Sequence, residues 1–519
     1  MAYAQVSGDG TALQPLIGPA KFLPQEGKAL MQADGSWLSS RTVDLEINTG
    51  LLAEVLREYR KAKGLSQADL AQILNLDQSY VSKIENGQRQ VRDLETLVRI
   101  AQQLNISPNE LGVSSELLQP VSSPSTSILV GEVDTVEVNQ AEWRRVRRHL
   151  NRNRGELAKL AADLYRPEAR ISDAPFIARR EWMPSAPVPL EDIQLEWLDH
   201  PGPIAVTGTE PEACAMLPLR APGRRFERYT SAIRYLDKPA LFENRTSYRL
   251  LGVDLAADVP RMKFCLGTYF DKLDVSEAIA HELAAAQEDA KKGERPTWSD
   301  LPLRHLIGDP FDLERRAVMP AIETLTLRRS RETGKATFLL HWRDPAKVAT
   351  AAGIYGLIPA GEFQPSTVAG WDKENDFDLW RNMVREYSEE MLGEPERDGT
   401  SGQPLDYDNW PLYRQLQQAR DAGKVSAYCL GVGLDTLTLT ATILTVTVID
   451  DDVFDALFGE SVQVNAEGVL VTAADSTSVS EGVPFDEECV TRLLTKEPMA
   501  SPGACILARS WRFREQLLT

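Results

Sequence analysis

The sequence has little that would support a covalent or metal-held architecture. Its five cysteines, Cys214, Cys265, Cys429, Cys489 and Cys505, are scattered with no CxxC pair and no His–Cys spacing. That excludes a zinc ribbon or a disulfide framework and leaves reduced, buried thiols as the expectation. No apolar run approaches the roughly 20 residues a membrane helix needs, so no membrane partner is expected. The opening residues show no basic stretch followed by an apolar one, and no leader peptide is expected either. Positive charge is also in deficit: 57 Lys and Arg face 76 Asp and Glu, a net charge of -19. A chain coated in nucleic acid is excluded by that balance, and any DNA contact must be local. A cytoplasmic location follows as the expectation.

At 519 residues the chain exceeds what one core can organise. Residues 1–48 mix Gly, Pro, Gln and Ala without periodicity and are expected to form a loosely ordered arm, with a patch of order around Trp37. Residues 49–113 differ sharply. Apolar side chains recur at helical spacing through Leu52, Val55, Leu56 and Tyr59, and Gly64 ends that helix. Ser66 is suited to cap a second helix carrying Leu70, Ala71 and Ile73. After a turn at Asn75 and Leu76, Asp77 or Gln78 opens a third, with Val81 and Ile84 on its buried side. Gln78, Ser79, Tyr80, Ser82 and Lys83 then face outward. Two short helices, the second presenting short polar side chains, have the geometry that enters a major groove.

Ser66-Gln67-Ala68-Asp69-Leu70-Ala71, Tyr80 to Gly87 and Leu94 to Leu104 together resemble the Xre and phage-repressor helix-turn-helix family, over the length of one small five-helix domain. The resemblance implies double-stranded DNA as partner. Gln67 would bond a phosphate, Gln78, Ser79 and Lys83 would face base edges, and Arg89 would sit by the backbone. The basic residues of the segment, among them Arg57, Lys61, Lys63 and Arg92, are nearly balanced by acids. Phosphate affinity per module is therefore modest, and a homodimer or higher homo-oligomer is expected to supply the rest.

Residues 114–136 contain a Ser/Pro-rich linker. Residues 137–166 form an amphipathic basic helix. Asn139 and Glu142 make a capping pair, and Trp143, Val146, Leu150, Asn153, Leu157, Leu160 and Leu164 keep a seam spacing of three and four. Arg144, Arg145, Arg147, Arg148, Arg152 and Arg154 occupy the outer face. Two readings fit this pattern: a dimerising helix whose arginines flank DNA beside the recognition domain, with Asn153 setting register, and a connecting helix packed on its own next domain, its arginines meeting acidic neighbours. Residues 167–310 read as a mixed α/β domain with strands at Ile204–Val206, Ser247–Val253 and Met262–Leu266, and a helix capped by Asp274. His281-Glu282 lacks the second His of a zinc-protease motif, so His281 is expected to be a helix-face histidine satisfied by a neighbour.

Residues 311–519 carry strands at Ile322–Leu327, Thr337–Trp342, Ala427–Val432 and Thr442–Ile449, and a helix from Asp376 to Met391. On that helix Glu386, Glu389 and Glu390 crowd one side, an arrangement that a divalent cation such as Mg2+ relieves where phosphates are held. Arg385-Glu386-Tyr387-Ser388-Glu389-Glu390, with Pro359-Ala360-Gly361 before it, resembles the box of a Nudix domain. That resemblance implies Glu386, Glu389 and Glu390 as metal ligands and Arg385 as the residue orienting a carboxylate. Gly361 stands further from Arg385 than the box allows, and the closing glycine is displaced to Gly393.

The expected architecture is multidomain, an all-α helix-turn-helix domain followed by an α/β (α+β) body that closes in a Nudix-like α/β/α sandwich. The expected protein is a bacterial transcription regulator whose body senses a small, nucleotide-type ligand. The alternatives are a Mg2+-dependent Nudix-type hydrolase of a nucleoside diphosphate derivative with a DNA-binding domain attached, and a repressor controlled by a protein partner.

Overall fold

The computed structural model describes residues 50–107 (without 75, 90, 92 and 93), 111, 133–171, 174–239, 242–290, 294–343, 354–396 (without 368), 403–459, 468–471 and 482–519. The arm at 1–48, Trp37 and most of the linker lie outside the described residues. The chain divides into two compact units, Met1–Ser123 and Pro124–Thr519.

In the first unit α1 (Gly50–Lys63), α2 (Gln67–Ile73), α3 (Gln78–Glu85) and α4 (Leu94–Leu104) enclose one small core. Gly64 ends α1 at φ +65°, a conformation that is cheap only without a Cβ. Ser66 and Asp69 then form a reciprocal capping box on α2. Leu56, Leu70, Leu74, Val81, Ile84 and Ile100 are essentially fully buried. Each contributes about 1.5–3 kcal/mol by leaving water.

The second unit is built on a mixed eight-stranded sheet. Its centre is β14 (Ala441–Asp450), parallel to β8 (Ala321–Arg329) on one side and antiparallel to β13 (Val425–Asp435) on the other. Beyond β13 lie β1 (Phe176–Ile177) and β2 (Val188–Pro189). Beyond β8 lie β9 (Ala336–Phe338), carrying β16 (Val483–Pro484), and separately β12 (Ala360–Glu362). All ten residues of β14 are buried, as a strand covered on both faces requires. Leu444, Val446 and Val448 join Leu325 and Leu327 in the core that holds α15 (Glu487–Lys496), α16 (Ser501–Arg512) and α17 (Arg514–Leu517). Ile443 and Ile449 join Ile322 in the opposite core, with α12 (Leu379–Glu386), α13 (Pro411–Asp421) and α14 (Asp451–Phe458). Helices therefore cover both faces.

Two smaller sheets flank this one. The first is β3 (Gln194–Trp197), β7 (Arg261–Thr268) and β6 (Thr246–Asp254); the second is β11 (Tyr355–Leu357), β10 (Leu340–Arg343) and β15 (Gly468–Val471). The hairpin β4 (Leu219–Ala221) and β5 (Arg224–Arg225) stands apart. The remaining helices are α5 (Val133–Arg152), α6 (Arg154–Ala162), α7 (Pro211–Met216), α8 (Tyr229–Leu236), α9 (Tyr269–Asp289), α10 (Pro302–Ile307) and α11 (Gly370–Asn375).

Several expectations change. No domain boundary falls at 310/311, because β1 and β2 from the earlier segment pair with β13 and cover a strand that neither segment could bury alone. Ile204–Val206 is not a strand; Val206 makes one bridge to Arg316. The run at 337–342 divides at Leu339, so that β9 and β10 serve different sheets. The basic helix begins at Val133, and Asn139 is not its cap. It also breaks at Asn153, whose amide donates to the His149 carbonyl at 2.8 Å. Val146, Leu150 and Leu157 of the seam pack with Ala280, Leu283 and Ala284 of α9, so this unit's own residues fill it.

Arg147, expected on the outer face, is buried, and it, Arg145 and Arg154 all meet acids. Arg145 pairs with Glu142 and Glu288, Arg147 with Asp237 and Glu277 at 2.8 and 3.0 Å, and Arg154 with Glu277 at 2.7 Å. Burial would raise the Glu277 carboxyl, but Arg154 and Arg147 outweigh it and hold it down at about 2. His281 is buried beside them. Its Nδ1 meets the Tyr229 hydroxyl at 2.9 Å, and its ring stacks on Trp143. Burial, then Arg147, lowers His281 to about 3. Asp274 lies inside α9 rather than at its start, accepting the Thr230 N–H at 2.8 Å.

Both depressed groups stabilise the fold in the form present at neutral pH and lose that contribution on acidification. We expect the second unit to weaken as pH falls from about 6.5 through about 3 for His281, and from 4.5 toward about 2 for Glu277. Denaturant unfolding against pH measures this, and His281→Gln should flatten the part above 4.5. Glu277→Ala removes the buried partner that Arg147 and Arg154 share, leaving Arg147 only Asp237, and should cost about 3–5 kcal/mol at neutral pH.

Candidate nucleic-acid interface

On α3 the side opposite Val81 and Ile84 carries the predicted contact residues. Gln78, Ser79 and Lys83 are exposed, and Tyr80 and Ser82 are half-buried. Asp77 caps the helix by accepting the Ser79 N–H at 2.8 Å, which fixes where the first outward side chains emerge. After α3, Gly87 turns the chain at φ +72°. The Arg89 N–H donates to the Lys83 carbonyl, and its guanidinium lies 4.6 Å from the centre of the Tyr80 ring. Arg89 is exposed and held beside α3, where it can meet a phosphate or shield Tyr80.

Gln67, the first residue of α2, is half-buried. Its Nε2 donates to Glu85 at 2.7 Å, and the same carboxylate accepts from Arg60 at 2.8 and 3.1 Å. Glu85 therefore ties α1, the start of α2 and the end of α3 together. Burial pulls its carboxyl upward, but the bonds from Arg60 and Gln67 prevail and leave it below its ordinary value. Sequence reading gave Glu85 no role. Its partners stand 25 and 18 residues away, beyond any helical spacing.

The second set of predicted residues is arranged differently. The helix starts at Leu379, capped by Asp378, and its end widens into a π-turn over Tyr387–Met391. Asp376, the expected first residue, is buried and accepts from Ser366 and Tyr407. Pro359-Ala360-Gly361 is no free loop, since Ala360–Glu362 is strand β12 against β8. Arg385 is buried and donates to the Gln364 carbonyl at 2.5 Å and to Asn382 at 2.8 Å. Those acceptors, rather than a ligand carboxylate, fix its guanidinium.

The Glu386 carboxylate lies against Gly361, where an added Cβ would come within 2.0 Å of it. Glu390 accepts the Ala360 N–H at 3.1 Å. Glu389 is raised to about 7 by burial and by Glu396, against the pull of Arg385 and Arg245. Among the described residues no group of three or more His, Cys, Asp or Glu converges as a metal-ligand set. Glu390 is thus held to the β12 backbone, Glu386 lies beside Gly361 of the same strand, and Glu389 is set among Glu396, Arg385 and Arg245. Asp450 is paired with Arg329 and Arg331, and Asp451 and Asp452 form the first turn of α14. No described helix is long and apolar enough to cross a membrane.

A capped helix with a polar outward side, braced across a short turn by a second helix, defines a helix-turn-helix domain. Residues 56–111 match the helix-turn-helix family, and through this segment the chain belongs to it. It is similar to the control protein C.SmaI of Serratia marcescens, with 41% identity over 61 residues, covering 12% of this chain and 71% of that protein. It is also similar to the restriction-modification controller protein C.AhdI of Aeromonas hydrophila, known from a high-resolution crystal structure. There the identity is 46%, the match covers 12% of this chain and 92% of that one, and the TM-score is 0.11.

Glu85→Ala should release Arg60 and Gln67 together and lower the stability of the first unit by about 1–3 kcal/mol. Hydrogen exchange should place the loss within the helices of that unit and leave α9 and β14 protected. Unchanged exchange in α1 to α3 would contradict the bracing role of Glu85.

Proposed function

We propose that this protein is a sequence-specific DNA-binding transcription regulator that reads operator base edges with Gln78, Ser79 and Lys83 of α3. The observation that carries the reading is the outward polar side of α3, fixed by a cap at one end and by Glu85 at the other. Gln and Lys bond the acceptor and donor edges of purines, and Ser bonds either kind. Gln67 and Arg89 supply phosphate contacts that set register, while Tyr80 and Ser82 support the reading side.

Few base-reading side chains and a balanced local charge give one module little hold on a site, so the operator is bound by two copies. Similarity to a control protein of Serratia marcescens supports a regulatory role. The second unit is the input side. Small-ligand sensing in it is supported by a polar cavity of about 600 Å3 lined by His149, Glu156, Lys159, Asp163, Arg170 and Arg295. A nucleotide-type ligand would offer anionic groups to Lys159, Arg170 and Arg295 in exchange for their present pairing with Glu156 and Asp163. Such a ligand alters DNA affinity only by binding the two functional states unequally.

In the full chain, Gln78→Ala with Lys83→Ala should abolish preference for the operator. Each lost contact should weaken specific binding by about 1–3 kcal/mol while binding to unrelated duplex persists. Genome-wide binding-site mapping supplies the operator, and a titration of wild type and variant on it checks the prediction. Equal operator affinity in the two would refute the assignment of α3.

A further inference from the structure

The arginines on the acid-facing side of α5 are paired, but another row is not. Arg144, Arg148 and Arg152 stand at i, i+4 and i+8, the first half-buried and the others exposed. At a rise of 1.5 Å per residue they follow one another about every 6 Å along the helix. The β4–β5 hairpin is fixed beside them. The Leu219 N–H donates to Asn139 Oδ1 at 2.6 Å, and its carbonyl accepts from Gln140 Nε2 at 2.7 Å. That hairpin exposes Arg220, Arg224 and Arg225. Arg225 donates one bond to the Leu217 carbonyl, whereas Arg144, Arg148, Arg152, Arg220 and Arg224 have no partner among the described residues. Glu142 and Asp237 are taken by Arg145 and Arg147.

We propose that this arginine face of the second unit is a sequence-independent contact for the phosphate backbone of the duplex that the first unit reads. The inference rests on the DNA-binding reading and adds a second point of attachment to it. A face of like charges repels itself and is stabilised by a polyanion. Guanidinium groups bond phosphate oxygens in pairs, and a row repeating along a helix suits a ligand whose charges also repeat. The net charge of -19 makes most of this protein repel DNA, so an exposed basic face is where the larger unit can lie against a duplex. Because both units belong to one chain, binding by the first raises the local concentration of duplex for the second. An acidic protein is the competing occupant, but DNA is the polyanion that the rest of the molecule already brings close.

The test uses the full chain with Arg144→Gln, Arg148→Gln and Arg152→Gln combined, titrated at several salt concentrations against the mapped operator and a scrambled duplex of equal length. Both affinities should fall, their ratio should stay as in wild type, and the slope of log K against log salt should shrink by about 2 to 3, near 0.9 per lost phosphate contact. Thermal unfolding should match wild type. A second variant, Arg220→Gln with Arg224→Gln, leaves α5 intact and should show the same effect at reduced size. Wild-type slopes and affinities in both variants overturn the proposal, including the outcome in which they lose only an acidic protein partner. Failure of the underlying reading looks different, because wild type itself would then not distinguish operator from scrambled duplex.

Discussion

A strand buried on both faces sets the terms for most of this molecule. β14 exposes nothing, so it needs a hydrogen-bonded neighbour on each edge and a helical layer on each side. Those requirements recruit β8 and β13 for the edges, α12 to α14 for one face, and α15 to α17 for the other. They also draw in β1 and β2 from more than 200 residues earlier, because β13 has an edge of its own to cover. The hydroxyls on the strands follow the same logic. Thr324 and Thr445 bond each other at 2.8 Å and Thr326 bonds Tyr387 at 2.7 Å, so these hydroxyls enter the core with a partner.

The charged groups divide into those that close the fold and those left for outside partners. Glu277 between Arg147 and Arg154, Glu85 between Arg60 and Gln67, and Asp450 between Arg329 and Arg331 are internal fasteners. Lys83, Arg148, Arg152, Arg220 and Arg224 face outward. On an acidic chain this separation sets the exposed cations apart from those paired inside the fold.

The helix-turn-helix domain was legible because every signal in it is local. Ser66 with Asp69, Asp77 with Ser79, and Gly64 after α1 act within a few residues, and the apolar spacing of three and four does the rest. The glutamates after Arg385 show the opposite case. Their spacing suggested a cation site, but whether carboxylates converge depends on the strand lying beneath them. Here that strand is β12, which engages Glu386 at Gly361 and Glu390 at Ala360. The arginine-rich helix was legible as amphipathic, but its seam pattern left open what would fill it. Ala280, Leu283 and Ala284 of α9 filled it, and no periodicity within the helix could have named them.

The sequence by itself determined the recognition module, its caps, its outward polar residues and the existence of a large acidic α/β body, since helical period, capping and charge are properties of neighbouring residues. Only the tertiary structure decided that residues 124–519 form one unit rather than two, which of the described arginines pair with acids inside the fold, and that Glu85 ties together three helices. Strand pairing and buried ion pairs join residues tens to hundreds of positions apart. Their partners are chosen by which surfaces must leave water together, a property of the packed chain and not of any stretch of it.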